Sequence, residues 1–166
     1  QSSPLQALDQ GDRQAQSVPL LLKRSLDQVT EAARETLAAV GLLALAPFDG
    51  AVVATALNIP PFQAGHLLGE LVSYGLLLRP ADRYEVSHAL IYTYARERLA
   101  APEEAAERLS AYYAQLAEAE CAKGLDGYAR LDTERAHLMR VLAGCVEREA
   151  WEAARSLVWA IEDYLD

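Results

Sequence analysis

The chain has 166 residues, of which 52% are hydrophobic and 23% are charged, and its formal net charge at pH 7 is −9. This is the composition of a globular protein. It excludes an intrinsically disordered chain, and its length suits one domain of common size or two small ones. The longest apolar run, residues 41–48, is far shorter than the roughly 20 residues that span a bilayer, so no membrane partner is expected.

The N-terminus shows no secretory signal, since no basic patch precedes an apolar stretch and a small-residue cleavage site. Cys121 and Cys145 are isolated, without a Cys-x-x-Cys motif or a histidine at ligand spacing, which favours two reduced, buried thiols. We therefore expect a cytoplasmic protein. Because the sequence begins with Gln1 and its single methionine is Met139, we also expect it to belong to a longer chain, called the parent protein below.

Residues 1–17 are rich in Gln, Ser and Asp, and are predicted to be a linker or the end of a preceding helical domain. Four leucines within residues 20–26 then lie within helical reach of one another. A helix is predicted over residues 30–46, with Thr30 as its N-cap. Its apolar stripe consists of Leu37, Val40 and Leu43, while Glu31, Arg34 and Glu35 face water.

A short helix over residues 50–58 is predicted to end in a left-handed cap at Asn58, before two prolines. The next helix, residues 60–75, has proline in its first turn and Gly75 just past its end. Its predicted buried set is Leu67, Leu71 and Tyr74.

Residues 76–87 predict two short strands around a Pro-Ala-Asp-Arg turn, which form a β-hairpin. A helix from His88 to about Ala100 closes this unit. The order of helix, short helix, second helix and hairpin predicts a winged helix-turn-helix domain over residues 18–101.

Residues 102–166 are predicted to be a truncated, tetratricopeptide-like helical domain. Its first helix starts after Pro102 and ends at Gly124, with a buried side of Leu109, Tyr113 and Leu116. Two antiparallel helices follow, and the predicted contacts join Ala136, Met139, Val141 and Cys145 to Trp151, Ala154, Val158 and Ile161. Because one such pair, with a period of about 34 residues, cannot bury its own face, we expect the array to continue past Asp166. The fold class is thus mainly α, with one small hairpin.

No catalytic motif is present: the chain has no Gly-rich phosphate loop, no GxSxG and no HExxH. No pattern joins the three histidines, His66, His88 and His137. The carboxylate pairs Glu103–Glu104 and Glu162–Asp163 lie at predicted helix ends, where solvated charge is the ordinary explanation. No catalytic residue, metal site or resident cofactor is predicted for this chain.

DNA binding is the function that a winged helix suggests first, but the helix over residues 60–74 has no Arg or Lys for base edges or phosphates. Its polar side chains are Gln63, His66, Glu70 and Ser73. In the hairpin, Asp82 and Glu85 are expected to offset Arg79 and Arg83. From residue 102 onward 14 acidic residues stand against 7 basic ones, which repels nucleic acid. A DNA-binding regulator is the least favoured alternative.

His88 stands where the second strand gives way to a helix. One interpretation makes it the first helical residue, capped by Ser87, with no further role. The other makes it a phosphate contact, because a helix N-terminus offers free N–H groups and a positive dipole end to which an imidazole adds one hydrogen bond.

The segment Tyr84–Leu99, YEVSHALIYTYARERL, resembles the end of the winged-helix domain in STAND-class ATPases, the family that includes NB-ARC switches and bacterial tetratricopeptide regulators. There a strand delivers a histidine, often within Met-His-Asp or His-Pro, before a helix reading roughly LxxxYARERL. His88 matches the histidine, and residues 94–99 match the helix. Ser87 and Ala89 stand where the Met-His-Asp form has methionine and an acid. Residues 25–58 are similar to the family's usual opening, and residues 131–165 to its first helical repeat.

The resemblance implies that the histidine contacts the β-phosphate of ADP in the resting state, so His88 and Ser87 are the expected nucleotide-sensing residues in the parent protein. ATP or ADP would be held by an upstream nucleotide-binding domain of the same chain. The helical repeats would recognise a protein or small-molecule inducer, which makes the function regulatory, in signal transduction. The alternative, from the residues alone, is a protein-interaction scaffold without a nucleotide link.

Overall fold

A computed structural model describes residues 20–165, so the predicted linker over residues 1–17 lies outside the described residues. Of the described residues, 72% are helical, in eight helices that accompany one small antiparallel sheet. The elements in chain order are α1 (20–28), α2 (Glu31–Val40), α3 (Gly50–Leu57), α4 (Pro61–Ser73), β1 (Leu77–Leu78), β2 (Glu85–Val86), α5 (Ala89–Arg98), α6 (Ala105–Cys121), α7 (Leu125–Glu147) and α8 (Trp151–Leu165). The predicted boundary after residue 101 falls in the loop between α5 and α6.

Helix α2 begins as predicted, since the hydroxyl of Thr30 accepts a hydrogen bond from the backbone N–H of Ala33 at 3.2 Å. It ends at Val40 rather than running on to residue 46. The chain turns at Gly41, where a Cβ would come within 3.2 Å of Ala95 on α5. The turn therefore lies close against α5, where a side chain at position 41 would be crowded, and the predicted apolar stripe of α2 stays buried across it.

The cap of α3 is confirmed: Asn58 has φ 53° and ψ 47°, the left-handed conformation, before the two prolines. Helix α4 ends at Ser73, and Gly75 follows with φ 73°. Leu67 and Leu71 are buried as predicted, but Tyr74 is 40% exposed. Tyr74 leaves the core because the chain departs from helical geometry at this residue, the C-cap of α4.

The predicted hairpin is confirmed, because β1 and β2 pair antiparallel with Leu77 opposite Val86. One further bridge joins Phe48, in the loop before α3, to Tyr84, in hydrogen bonds of 2.8 and 2.9 Å. The two rings stack with their centroids 5.9 Å apart. The hairpin is thus tied directly to the loop over residues 44–49.

Helix α6 packs against α3 on one side and against α7 and α8 on the other, and one continuous cluster of buried side chains extends from α1 to α8. Leu109 and Tyr113 are buried as predicted, and Leu116 is half-buried. Residues 20–101 and 102–165 therefore share a core.

The prediction of which residues form the face between α7 and α8 is partly wrong. Four of its members are buried: Val141, Cys145, Ala154 and Ile161. Four others are exposed: Ala136, Met139, Trp151 and Val158. Leu138 and Leu157 take their places, because both helices must also cover α6, which rotates the buried stripe.

Within residues 20–165, no helix combines the length and the apolar character that crossing a membrane requires.

Candidate functional site

His88 lies at the junction between β2 and α5, and it is itself the N-cap of α5. Its backbone is extended, with φ −152° and ψ 141°, and its Nδ1 accepts a hydrogen bond from the N–H of Leu90 at 3.0 Å. An accepting Nδ1 places the proton of the neutral ring on Nε2. His88 is exposed, and within residues 20–165 no acceptor bonds to its Nε2–H, which leaves one ring donor beside the positive end of α5.

Ser87 is not the helix cap, so that interpretation is wrong. Its hydroxyl donates to the carbonyl of Gly75 at 2.6 Å and lies 3.1 Å from that of Leu76, while its N–H donates to Leu76 at 3.2 Å. Ser87 therefore fastens the β2–α5 junction to the end of α4. It positions His88 and has no free hydroxyl proton for a ligand.

A second group of polar side chains, here called the buried polar cluster, consists of Arg83, Tyr113, Glu134 and His137. Glu134 is fully buried, and its carboxylate receives Arg83 Nη1 at 2.7 Å and the hydroxyl of Tyr113 at 3.2 Å. Arg83 also donates from Nη2 to the carbonyl of Pro47 at 2.8 Å. Burial and the charge of Glu134 raise the pKa of Tyr113, so its hydroxyl remains a donor.

His137 lies one turn beyond Glu134 on α7 and is also fully buried. Its Nδ1 accepts from the N–H of Ala44 at 3.1 Å, and its Nε2 lies 2.7 Å from the carbonyl of Pro47. The neutral tautomer with its proton on Nε2 satisfies both contacts. Burial lowers the pKa of His137, against the opposing effects of the Pro47 hydrogen bond and the negative charge of Glu134.

The buried polar cluster holds the hairpin and the loop before α3 against α6 and α7. The carbonyl of Pro47 is shared by Arg83 and His137, which are 54 positions apart in the chain. Because these charged and polar groups find partners inside the protein, the cluster is suited to fixing residues 20–101 on residues 102–165 rather than to catalysis.

Sequence reasoning missed this cluster and misassigned Arg83, whose partner is Glu134 rather than Asp82 or Glu85. The guanidinium of Arg79 lies 4.8 Å above the ring of Tyr84. A signal was present, since Glu134 and His137 lie on the same face of α7 as Leu131 and Val141.

The free energy of unfolding is expected to rise with pH between the lowered folded-state pKa of His137 and the ordinary value of 6.5. In this window the unfolded ring takes up a proton but the buried ring does not, because protonation would break its bond from Ala44. Stability is therefore lost as pH falls below 6.5, with a slope approaching the value for one proton, about 1.4 kcal/mol per pH unit. Urea unfolding at several pH values measures the slope.

The charged groups that face His137 are Glu134 on its own helix and Arg83 from the hairpin. In His137→Gln this part of the slope should disappear, and in His66→Gln, which alters an exposed histidine of α4, it should persist. A slope unchanged by His137→Gln would assign the pH dependence to other groups.

The remaining candidate residues form no shared site. His66, His88 and His137 lie on different elements, and the carboxylates of residues 103–104 and 162–163 are exposed as predicted. Both cysteines are free; Cys145 is buried, whereas Cys121 is half-buried. Among residues 20–165, no three His, Cys, Asp or Glu side chains are grouped so that they could hold a metal ion.

No protein-family model, no curated protein and no solved structure matches this chain.

Proposed function

We propose that this chain is a regulatory segment of a STAND-type signalling ATPase. In this proposal residues 18–101 form a winged-helix domain and residues 102–166 begin a tetratricopeptide-like array. The order of α2, α3, α4 and the β1–β2 hairpin supports the first part. The packing of α6, α7 and α8 against one another supports the second.

The observation that carries the proposal is the geometry of His88. Because Nδ1 is held by the N–H of Leu90, the ring presents a single donor, Nε2–H, at the positive end of α5. One oriented donor next to a helix N-terminus is suited to a phosphate oxygen supplied by another domain. Ser87 supports this arrangement by anchoring the junction to Gly75.

The proposed mechanism is mechanical. In the resting state the winged helix contacts the β-phosphate of ADP, held by an upstream nucleotide-binding domain, through His88. An inducer bound to the helical array displaces α7, and the Arg83–Glu134 pair carries that displacement to the hairpin at Arg83, five residues before the histidine. Release of the phosphate contact then permits exchange for ATP, so the two states differ in their contacts to nucleotide.

The test is the affinity of the parent protein for ADP and for ATP, measured by calorimetry in wild type and two variants. His88→Ala and His88→Asn should each weaken ADP binding about tenfold or more, the value of one hydrogen bond to a charged group, and spare ATP. Asn keeps an acceptor suited to the N-cap, so His88→Asn separates loss of the ring donor from loss of the helix cap.

The matched control is His66→Ala, which removes an exposed histidine from α4. Unchanged ADP affinity in both His88 variants would reduce the residue to a helix cap and remove the nucleotide link.

A protein-interaction scaffold is the second candidate function, and the exposed side of α7 and α8 favours it. Trp151 is 61% exposed and Trp159 68% exposed, and Met139 and Val158 are exposed as well. Large apolar side chains that remain exposed on two adjacent helices are typical of interaction sites. A phosphate-binding loop upstream in the parent gene would favour the switch over the scaffold.

DNA binding remains a third candidate, weakened by the hairpin. Arg83 forms an ion pair with Glu134 and is not available to a phosphate. Of the two hairpin arginines, Arg79 is the one without an anionic partner among residues 20–165. A salt-dependent shift of a labelled DNA duplex on addition of the protein would support DNA binding.

A further inference from the structure

A cleft of about 220 Å³ lies where α5 meets α6 and α7, and three arginines line it. Arg96 comes from α5, Arg140 from α7, and Arg148 is the C-cap of α7. Glu147 is the acidic residue among the lining side chains. The other walls are made of small and apolar residues of α2, α5, α6 and α7 and the segments that flank them, such as Leu109.

The arginines of this cleft have more donors than residues 20–165 supply acceptors for them. Arg140 binds the carboxylate of Glu147 through Nη1 and Nη2, at 3.0 and 2.8 Å, but its Nε is buried and has no partner within residues 20–165. The partner of Arg148 is the sulfur of Cys145 at 3.8 Å, and that of Arg96 is the hydroxyl of Tyr92 at 3.1 Å. A thiol and a phenol leave most of the capacity of two guanidinium groups unused.

The charges of the cleft converge on one place. The hydrogen bonds and charge of Arg140 lower the pKa of Glu147, and Arg96 and Arg148 add to this effect. Three cations therefore act on a single carboxylate, which leaves two positive charges without an anionic partner among residues 20–165. This is a local excess in a chain whose net charge is −9.

We propose that this cleft binds the phosphoryl group of a small-molecule phosphate monoester. A dianion balances the two remaining charges, and the planar forks of Arg96 and Arg148 suit phosphate oxygens. The apolar walls would receive the remainder of the molecule. Because drug-sized pockets measure about 300–1,000 Å³, this cleft suits a smaller ligand. The proposal is independent of the nucleotide-sensing role of His88.

The test is an NMR titration of ¹⁵N-labelled protein with inorganic phosphate, phenyl phosphate and acetate at constant ionic strength. Both phosphates should shift the amides of Ala95, Gly144 and Arg148 saturably, and acetate should bind about tenfold more weakly or not at all. Arg96→Gln and Arg148→Gln should each weaken phosphate binding about tenfold, the effect of one lost hydrogen bond to a charged group.

Two further variants keep the test decisive. Glu147→Gln removes the competing carboxylate and should strengthen phosphate binding severalfold, a gain that a misfolded variant would not show. Arg155→Gln, which removes an exposed arginine of α8, should leave binding unchanged. The proposal is overturned by shifts that do not saturate, by equal responses to acetate and phosphate, by equal losses in Arg148→Gln and Arg155→Gln, or by binding of a phosphopeptide alone.

Discussion

Arg83→Met is expected to lower the free energy of unfolding by about 3–5 kcal/mol, because it leaves a buried carboxylate without its principal cation. The side chain of Glu134 is 1% exposed and that of Arg83 is 24% exposed. A stranded arginine at this position can turn to water, whereas a stranded Glu134 cannot. Glu134→Gln should therefore cost less than Arg83→Met. Chemical denaturation of both variants, followed by circular dichroism, measures the difference.

Arg79→Met is the matched control, since Arg79 belongs to the same hairpin but is exposed and contacts the ring of Tyr84. Its expected cost is about 1 kcal/mol or less. The double variant Arg83→Met/Glu134→Leu should recover much of the loss, because no buried charge then remains. Equal costs for Arg79→Met and Arg83→Met would mean that Arg130, 3.9 Å from the carboxylate, is a sufficient partner.

Local signals in the sequence were enough to place most helix ends. Thr30, Asn58 and Gly75 mark ends through conformations or hydrogen bonds that depend on a few neighbouring residues. The end of α2 was missed for a different reason. Its C-cap, Gly41, lies against Ala95 of α5, about 50 positions away, and a contact of that kind cannot be recognised from neighbouring residues.

The buried face of α7 was misassigned because apolar residues alone were used to find it. The true stripe follows the spacing of three and four residues through Leu131, Glu134, Leu138, Val141 and Cys145. The glutamate at the centre of this stripe interrupts the apolar pattern, so the pattern of apolar residues alone points to Ala136 and Met139 instead. Glu134 can be buried because Arg83 neutralises its charge, and that pairing is a tertiary contact between residues 51 positions apart.

The place of His88 between a strand and a helix was predicted, but its hydrogen bonds were not. A strand followed by a helix former places His88 at a helix start, and both Ser87 and His88 carry an acceptor that could cap it. The contact that decides between them is the hydrogen bond from Ser87 to Gly75, 12 positions away. Once Ser87 is held there, His88 caps the helix.

The second large effect is expected for Gly127→Ala, which should destabilise the protein by about 3 kcal/mol, the upper part of the range for overpacking. Gly127 lies in the first turn of α7, where a Cβ would stand 1.8 Å from the carbonyl oxygen of Glu120 and 2.6 Å from its carbon. Both are backbone atoms, so no side chain can move aside. The turn between α6 and α7 would have to open.

Gly69→Ala is the matched control, because Gly69 lies in the interior of α4 and a Cβ there would meet nothing within 4 Å. Alanine has the higher helix propensity, so this variant should gain about 0.5–1 kcal/mol. The two substitutions are chemically identical and should have opposite signs in thermal or urea unfolding. If Gly127→Ala were neutral, α6 and α7 could separate without cost. The pairing of these helices would then not fix Glu134 and His137 against the hairpin.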